Sequence, residues 1–217
     1  MAQIVNHHRN HHRTVLHDGD DYHHGYAGRD YWIDDDWATV GFPAFPELSA
    51  DLAALEQRYA GGSTATAADA AALVFACGVA ATQVFTSSAS GTFGVDQARD
   101  AYLRLGETRL ALLTAADPDL LGRLADDMRR GRPAHLAVVD PAWQVGHNVV
   151  VDGYDAGDGR FHVNFGWGGS YDGWYLLPDE MPYGLTVVEG VIVDLGFALA
   201  GDGFESGDLG GWSATAG

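Results

Sequence analysis

From Ala134 to Leu195 the chain is a series of short β-branched or aromatic runs, HLAVVD, HNVVVDGYD, RFHVNF, WYLL and TVVEGVIVDL, separated by Gly/Asp turns. No helical pattern comes between them. A parallel pairing needs a crossover of a dozen residues or more, so these runs must pair antiparallel. The helical patterns lie ahead of them: 49 to 60, then 67 to 85 with Thr66 and Asp69 as a capping box, then a short helix near 95 to 105. A further one is opened by Asp117 and Pro118 and stopped by Gly131. Helices first and strands later predict an α+β fold, with a helical N-terminal part packed on a twisted antiparallel sheet formed by the C-terminal part.

The flanks are less regular. MAQIVNHHRNHHR reads as the later turns of a helix with no capping residue at its front. Residues 14 to 49 look irregular, with several aromatics and three consecutive aspartates at 34 to 36. The last stretch, 198 to 217, is rich in Gly, Asp and Ser and is expected to hang off a domain of residues 1 to 197. No internal repeat is visible.

Charge narrows the partners. The net charge is −18, from 30 acidic residues against 12 basic ones, and every basic residue is an arginine. A field of that sign repels phosphate backbones and anionic lipid, which argues against nucleic acid and membrane surfaces. No apolar run approaches the roughly 18 residues that a membrane span needs.

Within the β-rich part, VGHNVVVDGYDAGDGRFHVNFGWGGSYDGWY presents His147 at the head of one strand and Asn164 at the end of the next. An amide oxygen that accepts one imidazole N–H fixes the tautomer, and the other ring nitrogen is then left to face a thiol or hydroxyl. A loop with Trp167 beside them would exclude water. Spacing alone leaves two readings open. With a turn centred on Asp158–Gly159, strict register sets His147 opposite Ser170, and a bulge or longer loop is needed to bring it to Asn164. The plainer reading has His147 capping a strand edge and Asn164 satisfying backbone groups in a tight hairpin.

GHNVVVDGYD followed by FHVNFGWGGSYDGWYLL is similar to the His/Asn block of streptopain-like cysteine peptidases, bacterial relatives of the papain fold. MAQIVNHHRNH resembles the family's active-site helix, AALVFACGVAATQVFTSSASGTFG its central helix and Ser/Gly substrate loop, and MRRGRPAHLAV the strand before the histidine. The resemblance implies a papain-like α+β fold and a peptidase acting on peptide or protein substrates through a thioester, without a cofactor. It implies His147 as general base, Asn164 as its orienter and Trp167 as the cover. Ser90 and Gly91 would line the substrate cleft, with the Gly146 backbone along the bound peptide. Phe165 departs from the family, which commonly has Trp directly after the Asn. An inhibitory propeptide upstream of Met1 and export to the periplasm or the exterior of a bacterium are implied as well. The tail DGFESGDLGGWS resembles domain linkers of secreted bacterial proteins.

The nucleophile is harder to place. A papain-like thiol sits at a helix N-terminus, where free N–H groups and the dipole lower its pKa. Cys77, the one cysteine, lies about ten residues into an Ala-rich helical pattern and reads as core. In the family the cysteine stands a few residues before the stretch matching MAQIV, inside a sequence like CVATAMAQI, so the expectation is that the nucleophile lies upstream of Met1. A non-catalytic binding or inhibitory module on the same fold is the alternative. A third reading is a metal-binding protein: His7, His8, His11 and His12 include i, i+4 pairs that can chelate Zn²⁺, although the next histidines, His17, His23 and His24, fall in a loop. No HExxH glutamate accompanies them, so no catalytic metal is expected. The aspartates at 34 to 36 lack EF-hand spacing and read as a solvated or capping segment.

Overall fold

The computed structural model describes residues 1–8, 14–86, 90–107 and 109–196. The tail from 198 onward, and His11 and His12 of the histidine cluster, lie outside the described residues. In chain order the elements are α1 (Ala2–His8), β1 (His23–Tyr26), β2 (Arg29–Trp32), α2 (Trp37–Val40), α3 (Phe45–Ala60), α4 (Ala67–Ala80), β3 (Val84–Phe85) and β4 (Ser90–Gly91). There follow α5 (Val95–Arg104), β5 (Ala111–Leu113), α6 (Leu120–Arg129), β6 (Ala134–Val139), β7 (Gly146–Asp155), β8 (Arg160–Asn164), β9 (Gly173–Tyr175) and β10 (Val187–Val193).

The antiparallel sheet expected of the C-terminal part is present, with one unexpected edge strand, β5, contributed from between the helices. Six strands run in the order β5-β10-β6-β7-β8-β9, every neighbouring pair antiparallel. Its two faces carry separate cores because side chains alternate along each strand. Ala137, Val150 and Ile192 point to one face and meet Ile4 and Val5 of α1 and the apolar sides of α3, α4 and α5. Leu136, Val138, Val149, Val151 and Val163 point to the other, against Leu120 and Leu124 of α6 and against Phe165. No helix among the described residues is long and apolar enough to cross a membrane.

The helix starts follow local chemistry. Thr66 and Asp69 close the capping box of α4, Asp69 N–H donating to the Thr66 hydroxyl and the Asp69 carboxylate accepting from Thr66 N–H. Other boundaries shift. The helix expected from 49 begins at Phe45, because Pro46 suits a first helical turn whose N–H groups have no partner anyway. The helix expected to run to 85 stops at Ala80, where Gln83 N–H returns to Gly78 carbonyl and Thr82 takes φ 48°. The helix expected from Asp117 begins at Leu120, since the Asp117 carboxylate accepts from Thr114 N–H instead. Residues 14 to 49 are not irregular throughout: β1 and β2 pair as a hairpin. The aspartate run caps, with Asp34 accepting from Phe45 N–H at 2.7 Å and Asp36 from Trp32 N–H at 2.8 Å.

Candidate active site

His147 is the second residue of β7 and pairs with Val138 of β6. Gly146 before it is a glycine for lack of room, since a Cβ there would fall 3.1 Å from Val139 Cγ1 and 3.3 Å from the Val138 carbonyl. β7 and β8 are adjacent, as the His/Asn pattern requires, but their register is not that of a plain hairpin. Asp155 pairs with Arg160 across a loop held by Gly159 N–H on Asp155 carbonyl, and a bulge between Val151 and Gly153 then sets Val150 against Asn164. Three further steps along β7 that register aims His147 at Trp167, where the unbulged register with a later turn gave Ser170.

The rings agree with this. Trp167 stacks on the His147 imidazole with centroids 4.5 Å apart, and Phe165 lies beyond at 5.9 Å, nearly parallel. Trp167 therefore lies over the histidine ring itself, not over a His147–Asn164 contact. Phe165, where the family has Trp, is a core residue, 1% exposed and packed on Tyr171 and Tyr175. The loop between these rings folds back through left-handed Gly166, Gly168 and Gly169, and Asp172 accepts from Phe165 N–H at 2.8 Å.

The expected imidazole–amide hydrogen bond between His147 and Asn164 is not formed. Nε2 of His147 donates to the Phe165 carbonyl at 2.9 Å. Asn164 Oδ1 accepts from Gly166 N–H at 2.9 Å and from the Gln3 amide at 3.2 Å. Strand alternation is the cause. Asn164 pairs with Val150, whose side chain packs in the core shared with α1, whereas His147 pairs with Val138 and its ring turns to Phe165 and Trp167. A carbonyl can only accept, so Nε2 carries the proton and neutral His147 has Nδ1 free to take one. Asn164 acts one step back, fixing the turn that presents the Phe165 carbonyl.

His147 opens onto a groove of about 560 Å³ that Ser90, Gly91 and Gly146 also line, so the residues expected at the substrate cleft come together at one place. Sequence reasoning missed the other wall, formed by Tyr26, Phe93 and Trp143, and the carboxylate of Glu189. It also missed Gln3, which had no signal beyond its place on the first helix.

Cys77 is elsewhere. It lies inside α4, 4% exposed, with its carbonyl accepting from Ala81 N–H, and burial pushes its thiol up to about 12. A second polar group is buried behind the site. Tyr102 donates its hydroxyl to Nδ1 of His135 at 3.2 Å, and Nε2 of His135 donates to Asn148 Oδ1 at 2.9 Å. Among the described residues, no three His, Cys, Asp or Glu side chains gather to hold a metal ion.

Comparison with known proteins bears on both fold and family. The model of the peptidase C10 family matches residues 1–175, in line with the streptopain-like resemblance of the sequence. Among solved structures, the chain is similar to a fragment, spanning 39-359, of a cysteine-to-alanine mutant of Prevotella intermedia prointerpain A, with a TM-score of 0.58 and 24% identity. That likeness covers 88% of this chain and 60% of the fragment, so the chain spans less than two thirds of that relative. No curated protein matches the chain.

Proposed function

The chain belongs to the peptidase C10 family, and we propose that it carries the general-base half of a cysteine endopeptidase site whose nucleophile lies on helix turns ahead of α1. The observation that carries this is the tautomer of His147. Its Nε2–H is spent on the Phe165 carbonyl under a stacked Trp167, which leaves Nδ1 as a base at the mouth of the groove. One further feature supports a thiol elsewhere than at Cys77: this residue, the sole cysteine of the sequence, is buried and its thiolate disfavoured.

In the reaction so proposed, Nδ1 of His147 takes the proton of the cysteine thiol and the thiolate attacks the scissile carbonyl carbon. The tetrahedral intermediate collapses, the C–N bond breaks, and the imidazolium returns its proton to the leaving amine. Water, deprotonated by the same nitrogen, then attacks the thioester and releases the acid and the thiol. Asn164 is a positioning residue acting through the Phe165 carbonyl, Trp167 keeps water off the imidazole, and Ser90, Gly91 and Gly146 border the peptide. Secretion or periplasmic export and an inhibitory propeptide complete the proposal, the latter supported by the pro-form named in the interpain relative.

The burial of Cys77 also favours a second reading, a non-catalytic module that binds or inhibits through the same groove. Activity separates the two. Residues 1–217 alone should leave casein uncleaved, and a chain extended by a cysteine-bearing segment like CVATA should cleave it. An extended chain that stays inactive, with the thiol free and the fold intact, favours the non-catalytic module.

A further inference from the structure

We propose that Glu189 makes the groove beside His147 selective for peptides bearing a lysine or arginine side chain, an inference that rests on the peptidase reading above. Glu189 is the extra residue of a bulge in β10, because the pairing with β6 shifts between Val188 and Gly190. Bulges re-aim a side chain, and this one turns a carboxylate into the groove. Val188 pairs with Val138, and Val138 with His147, so the carboxylate lies two strands from the imidazole, roughly 10 Å at the usual strand spacing.

The position is rigid. Gly190, next in the bulge, has no room for a side chain, since a Cβ would meet Val95 Cγ1 at 2.9 Å. Oε1 of Glu189 accepts from Val95 N–H at 3.0 Å and so caps α5, whose own N-cap, Gly94, has no side chain to offer. That bond uses one oxygen. Among the described residues no arginine pairs with Glu189, and the groove contains no other carboxylate and no basic side chain besides His147. A half-buried carboxylate with a spare oxygen favours a cation from a ligand.

The walls suit the rest of such a side chain. Tyr26, Phe93 and Trp143 are 48%, 71% and 61% exposed, and Tyr26 and Phe93 meet edge to face. Aromatic surfaces of this kind hold the methylene stem of lysine or arginine and attract its charge through their π faces. The net charge of −18 adds a general pull on cationic peptides and repels acidic ones.

Capping α5 would by itself explain a glutamate here, so the test must spare the cap. Glu189→Gln does so, since its amide oxygen can still accept from Val95 N–H. The chain of residues 1–217 is titrated calorimetrically with blocked hexapeptides carrying lysine at each position in turn, and with the same set carrying norleucine. One lysine position should bind about 10-fold tighter than its norleucine twin in low salt, a difference of one charged contact. The gap should shrink with salt and close in Glu189→Gln, with the norleucine affinities and the melting temperature unchanged. Equal binding of the two sets, or a lysine preference that survives in Glu189→Gln, overturns the role of Glu189 and leaves the peptidase reading standing. If neither set binds, the groove is not a peptide cleft and both fall.

Discussion

Acid should loosen this fold through His135. The ring is 3% exposed, and both nitrogens are satisfied only when it is neutral: Nδ1 accepts from Tyr102, and Nε2–H donates to Asn148. Burial drives its pKa down to about 3, with the nearby Met1 amine pushing the same way and the Asn148 bond opposing. The unfolded chain takes up a proton near pH 6.5, which the fold refuses. The contribution is therefore intact above about pH 6.5 and is lost as pH falls from there towards 3. Each pH unit inside that window costs about 1.4 kcal/mol, so moving from pH 7 to pH 5 should remove about 2 kcal/mol. For a domain of this size that is a fall in Tm of about 4–8 °C. Urea unfolding at both pH values, compared between wild type and His135→Gln, isolates the effect, because the glutamine can still hydrogen-bond in place but does not titrate. The wild type should lose about 2 kcal/mol more than the variant over this interval. Parallel losses in the two proteins would refute the buried neutral His135.

Other outcomes follow from the same geometry. Cys77 should react with a thiol reagent only after denaturation, and Cys77→Ala should behave as a core change costing about 1 kcal/mol of stability in urea unfolding. In nitrogen-15 NMR, neutral His147 should carry its proton on Nε2, since the Phe165 carbonyl requires a donor there; a Nδ1–H signal would remove the basis of the proposed mechanism. Asn164→Ala should mix the two tautomers by freeing the turn at Gly166 without unfolding the chain, which NMR and circular dichroism together would report.

What could be read from the sequence was what depends on local pattern. The β-branched runs after Ala134 settle the strands, because burial on both faces of a sheet demands them. Thr66 and Asp69 announce α4 because the capping box is a contact between near neighbours. The site was half legible. His147 and Asn164 could be set on adjacent strands, but their partners turn on a bulge at residue 152, which no alternation pattern marks. Gln3, Tyr102 and Glu189 escaped notice for a related reason. Each acquires its role from a residue far along the chain, at Asn164, His135 and Val95. The hairpin of β1 and β2 was hidden by its composition, since histidine, aspartate and glycine crowd out the apolar alternation that identifies a strand.

The central claim is that His147 serves a thiol carried ahead of α1, and the alkylation rate of that thiol tests it most directly. In a chain extended by the cysteine-bearing segment, iodoacetamide should modify the new thiol at pH 6 far faster than an ordinary cysteine of pKa about 8.5. Cys77 should stay silent in the fold, and His147→Ala should drop the rate to that of an unactivated thiol. Equal rates in the extended wild type and its His147→Ala variant would contradict the account.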